Sequence, residues 1–270
     1  MIQTPTLQAS KLTAGYDKKI ILEGVDIEIP KNQVSVIIGA NACGKSTLLK
    51  TLARLIKPEE GVVTLDGKKI TSMPPKELAK VLGLLPQSPV VPEGITVFDL
   101  ISRGRFPYQT LLKGMGKKDF EAVEEALSIM GISDLANRSV DELSGGQRQR
   151  VWIAMALAQQ TEILLLDEPT TYLDITYQIE ILDLLTDLNK RRKTTIVMVL
   201  HDINLSARYA DYIFAVKKGK LIAQGTPKDI INKELIKDVF DLECVVIDDP
   251  VSGSPFIVPK GRHFVMNKMQ

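Results

Sequence analysis

The sequence has few features of a secreted or membrane-spanning protein. Only two of its 270 residues are cysteines, Cys43 and Cys244, so it offers no disulfide framework and favours a reducing cytoplasm. Its longest apolar runs, such as residues 196–200, are far shorter than the ~20 residues that a membrane-spanning helix needs. The first ten residues lack the basic start and apolar core of a signal peptide. If the protein acts at a membrane, we therefore expect a partner protein to hold it there.

The sequence also lacks an excess of charge of either sign. Its 34 Lys and Arg residues balance 33 Asp and Glu residues, which leaves a net charge of +1. This balance gives no electrostatic reason to expect nucleic acid as a partner. Basic residues cluster at 113–118 and 190–193, where a solvated loop and a helix C-terminus are the simpler interpretations.

What is present is the pattern of one α/β protein with a helical insertion. Apolar runs predict strands at 7–12, 20–29, 34–38, 62–65, 81–85, 163–166, 195–200 and 213–216. Apolar residues at helical spacing predict helices at 48–56, 96–103, 120–130, 147–158 and 175–189, with another after His201. Alternating strands and helices favour a mostly parallel sheet. The region from about 88 to 160 is helical, and residues after about 243 favour strands.

A glycine-rich loop follows the strand predicted at 34–38. It comprises Gly39, Ala40, Asn41, Ala42, Cys43, Gly44, Lys45, Ser46 and Thr47, which fits the pattern G-x-x-x-x-G-K-[ST]. The glycines let backbone N–H groups approach a phosphate, and the positive end of the next helix points at the same anion. We expect Lys45 to reach the β- and γ-phosphates of ATP and Ser46 to bind Mg²⁺.

Two carboxylates end the buried strand predicted at 163–166. Ligands bind at such carboxyl ends in open α/β sheets, so Asp167 is expected to hold Mg²⁺ and Glu168 to polarise the attacking water. Taken alone, the pair is more simply interpreted as solvated acids at a strand end. Its occurrence together with the glycine-rich loop favours the catalytic interpretation.

A third segment narrows the class of protein. Leu143, Ser144, Gly145, Gly146 and Gln147 precede a predicted helix, which Ser144 can cap. With the other two motifs in this order, residues 7–237 resemble the ATP-binding subunits of ABC transporters. The resemblance implies a P-loop ATPase core at 1–87 and 161–237, with an N-terminal antiparallel β-subdomain. It also implies a helical subdomain at 88–160 and leaves 238–270 as a C-terminal β-rich extension.

The resemblance assigns further roles at matching positions. Tyr16 matches the aromatic residue that stacks on adenine, and the alternative is a surface tyrosine on a strand. Gln87 and His201 match catalytic residues at the γ-phosphate, and Gln87 also contacts Mg²⁺. Asp174 matches an acidic residue at a dimer contact, although Thr171 and Tyr172 depart from the serine and small residue usual beside it. The resemblance further implies that Ser144–Gln147 bind the ATP held by a second subunit, in a head-to-tail homodimer.

The cargo is indicated by three weaker similarities. Residues 39–44, 103–107 and 249–255 are similar to importers of iron–siderophore, haem and cobalamin type, although these usually have proline where Ala40 stands. We therefore expect a peripheral subunit on the cytoplasmic face of the membrane that serves a permease and an extracytoplasmic solute-binding protein. Haem, cobalamin or metal-ion import remains open, as does a soluble ABC ATPase that transports nothing.

Overall fold

A computed structural model describes residues 6–17, 19–87, 92–110, 114–171 and 173–261. Tyr172 and parts of the predicted helical insertion and C-terminal extension therefore lie outside the described residues. The strands are β1 (Leu7–Tyr16), β2 (Lys19–Glu28), β3 (Val34–Ile38), β4 (Glu60–Leu65), β5 (Lys68–Lys69), β6 (Leu82–Leu85), β7 (Ile163–Asp167), β8 (Thr195–Val199), β9 (Tyr212–Lys217), β10 (Lys220–Gly225), β11 (Cys244–Asp248) and β12 (Pro255–Pro259). The helices are α1 (Lys45–Leu52), α2 (Pro75–Val81), α3 (Val97–Ser102), α4 (Lys117–Ile129), α5 (Gly145–Ala158), α6 (Ile175–Arg192), α7 (Ile203–Tyr209), α8 (Pro227–Ile230) and α9 (Lys233–Phe240).

Two sheets build most of the core of the protein. The N-terminal sheet has the order β2-β1-β4-β5, and each neighbouring pair is antiparallel. The larger sheet has the order β10-β9-β3-β8-β7-β6, in which all pairs are parallel except β10 with β9. Every residue of β3, β7 and β8 is buried, as expected for strands covered on both faces.

The strand order decides where the predicted site residues meet. Strands β3, β8, β7 and β6 are consecutive neighbours and run in the same direction. Their carboxyl ends therefore lie along one edge of the sheet. The glycine-rich loop follows β3, His201 follows β8, Glu168 follows β7 and Gln87 follows β6.

A buried arginine holds the helical region together. Arg105 is only 4% exposed, and its guanidinium donates to Asp119 Oδ1 at 2.9 Å and to the Ala158 carbonyl at 2.7 Å. Burial alone would raise the pKa of Asp119, but the Gly116 N–H and Arg105 hold it below its ordinary value. The preceding residue, Gly104, packs so closely on α5 that an added Cβ would lie 2.2 Å from the Met155 carbonyl oxygen.

The C-terminal strands pack on the helix that follows His201. β11 and β12 form an antiparallel hairpin, and the Asn204 side chain on α7 bonds both backbone groups of Ile257. Its amide nitrogen donates to the Ile257 carbonyl at 3.2 Å, and its oxygen accepts from the Ile257 N–H at 2.7 Å. The hairpin is thereby fixed to α7, the helix that follows the carboxyl end of β8.

Three details of the predicted helices are wrong. Helix α1 ends at Leu52 because Arg54 adopts a left-handed φ of 61°, and its N–H and that of Leu55 bond the carbonyls of Thr51 and Lys50. Leu55 consequently leaves the apolar stripe and is 65% exposed. Ile175, predicted on the apolar face of α6, begins that helix and is 72% exposed. Helix α2 stands where no helix was predicted.

Candidate nucleotide site

The loop after β3 is shaped by two glycines and closed by Lys45. A Cβ on Gly39 would lie 2.2 Å from the Val216 carbonyl oxygen, and Gly44 adopts a left-handed φ of 109°. Gly44 precedes α1 without any side-chain cap, so the first N–H groups of the helix are left for a ligand. Lys45 Nζ donates to the carbonyls of Gly39 and Ala40 at 2.9 and 3.0 Å.

Ser46 and Asp167 meet at the start of α1. Ser46 Oγ donates to Asp167 Oδ1 at 2.8 Å, and Lys50 Nζ lies 3.9 Å from Oδ2. Asp167 is 1% exposed, and its Oδ2 has no hydrogen-bond partner among the described residues. Burial raises the pKa of Asp167, with the hydrogen bond from Ser46 acting in the opposite direction. A buried carboxylate with a free oxygen favours an added cation.

Glu168 is the point on which the other strand ends converge. Its backbone has a left-handed φ of 55°, and the residue is 9% exposed. Gln87 Nε2 donates to Oε2 at 2.5 Å, and His201 Nε2 lies 2.7 Å from Oε1. Thr171 Oγ1 donates to Oε2 at 3.0 Å. Both carboxylate oxygens are therefore engaged by side chains from three separate segments.

A cleft of about 510 Å³ joins these groups. Its lining residues are Tyr16, Ile21, Asn41, Ala42, Gly44, Lys45, Ser46, Thr47, Gln87, Glu168, Thr171 and His201. Tyr16 is 47% exposed, which leaves its ring open to a ligand. Cys43 does not line the cleft. It is buried beneath the loop in the apolar core, and this burial raises the pKa of its thiol.

The segment Ser144–Gln147 and Asp174 stand apart from this cleft. None of these residues is in its lining. Ser144 caps α5 as predicted, because its Oγ accepts from the Gln147 N–H at 3.3 Å and Gln147 Oε1 accepts from the Ser144 N–H at 3.1 Å. Gly145 and Gly146 form the first turn of that helix. Asp174 caps α6 by accepting from the Tyr177 N–H at 3.1 Å.

Two residues at the site were not given a role by sequence reasoning. Thr171 was noted as a departure from the usual serine, and its hydroxyl bonds Glu168 directly. Ile21 lines the cleft from the antiparallel sheet. Ile21 reaches the cleft because β2 packs beside the loop, and this packing cannot be predicted from the residues around Ile21.

The fold and the site define a P-loop nucleotide-binding protein. A parallel sheet presents a glycine-rich loop, a lysine and two carboxylates at one edge, which is the arrangement that binds nucleotide phosphates. No helix within the described ranges is long and apolar enough to cross a membrane.

Comparison with known proteins gives the family. The family model described as ABC transporter matches residues 22–171. The chain belongs to this family, and it is an ABC-type ATPase. The predicted fold, a P-loop core with an antiparallel subdomain and a helical insertion, is confirmed.

The chain is similar to several ATP-binding proteins along nearly its whole length. It is 51% identical to the petrobactin import ATP-binding protein FpuD of Bacillus anthracis, over 95% of this chain and 94% of that protein. It is also 51% identical to the ferric enterobactin transport ATP-binding protein FepC of Escherichia coli (strain K12), with the same coverage. Among solved structures, it matches the dimeric post-hydrolysis state of the cassette MJ0796 bound to ADP and Pi. That match has a TM-score of 0.72 and 30% identity, and it covers 82% of this chain and 98% of that one.

Proposed function

We propose that this ABC ATPase is the ATP-hydrolysing subunit of an importer of iron–siderophore complexes. Two relatives that are 51% identical over 95% of the chain carry names of siderophore importers, and this similarity is the observation that supports the cargo. The subunit acts at the cytoplasmic face of the membrane. It drives a separate permease that receives its cargo from an extracytoplasmic solute-binding protein.

The nucleotide is bound through its phosphates and its base. Residues 39–44 and the start of α1 offer backbone N–H groups to the phosphates. Lys45 exchanges its bonds to the Gly39 and Ala40 carbonyls for the β- and γ-phosphates. Tyr16, exposed at the rim of the cleft, stacks on the adenine.

The residues around Asp167 fit a magnesium ion. Mg²⁺ prefers oxygen ligands and is held by one or two carboxylates together with the phosphates of its substrate. The free buried Oδ2 of Asp167, the Ser46 hydroxyl and the Gln87 amide oxygen supply such ligands. When bound, the ion neutralises charge that develops on the phosphates.

Glu168 acts as the base that orients and deprotonates the attacking water. Both of its oxygens are engaged by Gln87, Thr171 and His201, so the attacking water reaches the carboxylate when Gln87 and His201 give up their bonds to it. Gln87 and His201 then become free to bond the γ-phosphate. The hydrogen bond from Thr171 remains and keeps the carboxylate in place.

A second copy completes each site. We propose that Ser144, Gly145, Gly146 and Gln147 of one subunit cover the ATP bound at Lys45 of the other, with Asp174 at the contact between them. This arrangement is supported by the separation of these residues from the cleft and by the exposure of Ser144 and Gly145. Gly145 and Gly146 add no side chains to the first turn of α5, so its N-terminus can face a phosphate closely.

The shared site is tested by the dependence of the hydrolysis rate on protein concentration. Because only dimers hydrolyse ATP, the rate of the detergent-free protein should rise faster than linearly through the dimerisation range. Sedimentation at each concentration supplies the fraction of dimer. Constant specific activity in samples shown to be monomeric would contradict the shared site.

The cargo is tested separately in vesicles. The ATPase should co-purify with its permease in mild detergent, and the reconstituted complex should hydrolyse ATP faster with a loaded siderophore-binding protein. Haem, cobalamin and free ferric ion, each with its own binding protein, are the comparison arms. Stimulation by one of these instead of an iron–siderophore complex would reassign the cargo. Failure to associate with any membrane protein would favour a soluble ATPase.

A further inference from the structure

A side chain on α5 is hydrogen-bonded to the turn that carries Glu168. Gln149 Nε2 donates to the Pro169 carbonyl at 2.8 Å. Pro169 directly follows Glu168 and is buried, and its ring leaves it no N–H, so the carbonyl is its one backbone polar group. Gln149 thus satisfies a buried acceptor beside the catalytic carboxylate, and it lies only two residues beyond the segment Ser144–Gln147.

A second contact joins the same two regions. The Tyr177 ring on α6 lies over Gly146, so that a Cβ built on Gly146 would be 3.4 Å from Tyr177 Cδ2. The Arg150 guanidinium lies 5.4 Å from the centre of that ring and is paired with Glu180. The first two turns of α5 are therefore tied to the turn after β7 by a hydrogen bond and to the start of α6 by a ring contact and an ion pair.

These contacts join two regions of one chain that would serve different ATP molecules in the dimer. In the proposed dimer, Glu168 hydrolyses the ATP bound by its own subunit, while Gly146 of that subunit covers the ATP of its partner. Neither Gln149 nor Tyr177 lines the cleft, so neither serves the chemistry at Lys45 directly. Gln149 instead connects the start of α5 to the turn after β7, and Tyr177 connects it to the start of α6, within one chain.

We propose that Gln149, supported by Tyr177, is a positioning residue that couples the two ATP sites of the dimer. This inference rests on the shared site proposed above. When Gln87 and His201 leave Glu168 for the γ-phosphate and the attacking water takes their place, Pro169 moves with Glu168, and the bond from Gln149 carries the displacement to α5. Gly145 and Gly146 then shift over the partner's ATP. Occupancy of one site thereby changes the closure of the other.

The coupling is tested by the Hill coefficient of ATP hydrolysis in the full chain. Wild-type dimer should approach a value of about 2, the number of sites, and Gln149→Leu should lower it to about 1. The affinity of the isolated chain for ATP should not change. Gln149→Lys retains an N–H donor of similar reach and should restore cooperativity.

Gln178 provides a matched control. Its Nε2 donates to the Leu173 carbonyl at 2.9 Å, so it is also an amide bonded to a backbone carbonyl, but it does not reach α5. Gln178→Leu should leave the Hill coefficient at the wild-type value. Tyr177→Ala should lower it, whereas Tyr177→Phe, which keeps the ring over Gly146, should not.

The outcomes separate this coupling from the shared site. A cooperative wild type with an unchanged Hill coefficient in Gln149→Leu would overturn the coupling alone. A non-cooperative wild type, with activity proportional to protein concentration, would overturn the shared site and the coupling with it. If circular dichroism shows that Gln149→Leu does not fold, the Tyr177→Ala and Tyr177→Phe pair decides in the same assay.

Discussion

The two regions assigned to the nucleotide are built differently within one chain. Around Lys45, side chains that follow four strands bond one another, as Ser46 does Asp167, and Glu168 is held by three partners. Around Ser144, the capping box with Gln147 is internal to the segment, and Ser144 itself is exposed. The first region is held by bonds between distant segments, whereas the capping box of the second is formed by neighbouring residues. In the proposed dimer, a single chain thus binds one ATP at Lys45 and covers its partner's ATP with Ser144.

The largest effect is expected at the catalytic carboxylate of the organised region. Glu168→Gln should retain ATP binding but cut hydrolysis by roughly 10²–10⁴-fold, because an amide cannot accept the proton of the attacking water. Phosphate release and ATP affinity measured on the same protein separate the two effects, and the dimer should be more stable with ATP. Glu124→Gln, on the exposed face of α4, is the control. Near-normal turnover of Glu168→Gln would remove Glu168 from this role.

A second variant asks whether the Ser144 region belongs to the partner's site. Ser144→Arg should leave ATP binding by the isolated chain within about twofold, yet lower hydrolysis by about 10²-fold, the cost of losing one transition-state donor. Ser144→Thr keeps the hydroxyl that caps α5 and should retain most of the activity. An equal loss of binding in the monomer would place Ser144 in the same subunit's site instead.

The smallest effect concerns the support of the Ser144 region. Arg105→Met should lower the free energy of unfolding by about 2 kcal/mol, because it leaves Asp119 and the Ala158 carbonyl without their buried donor. Urea unfolding gives this value. ATP binding at Lys45 should be unaffected in the folded protein. Arg103→Met, at an exposed position two residues away, should change stability by less than about 0.5 kcal/mol. Equal destabilisation by both variants would contradict a special role for Arg105.

The sequence was most informative where a motif is directly followed by the helix that it begins. The loop ending at Lys45 and the cap at Ser144 need only neighbouring residues, and both could be predicted with their helices. The end of α1 could not, because Arg54 takes the left-handed position usually held by glycine. It is anchored there by bonds to the carbonyls of Ile70 and Met73. Those partners lie 16 and 19 residues away.

Contacts between segments escaped prediction for the same reason. The bond from Gln149 to Pro169 joins residues 20 apart, and the partners of Glu168 come together only because β6, β7 and β8 are neighbours. Strand order depends on the packing of the whole sheet, which no local pattern encodes. The roles of Gln87 and His201 were therefore reached by family resemblance, and their convergence on Glu168 became visible only in three dimensions.

The close packing of Gly104 against α5 means that a residue far from the cleft can affect the nucleotide site. α5 begins at Gly145 and rises by about 1.5 Å per residue, so Met155 lies about 15 Å from the end that faces the partner's nucleotide in the proposed dimer. Any side chain at position 104 must displace the Met155 carbonyl. Because α5 is stiff, this displacement tilts the whole helix. In a genetic screen, we expect substitutions of Gly104 to have the same phenotype as substitutions of Ser144, although the two residues contact opposite ends of α5.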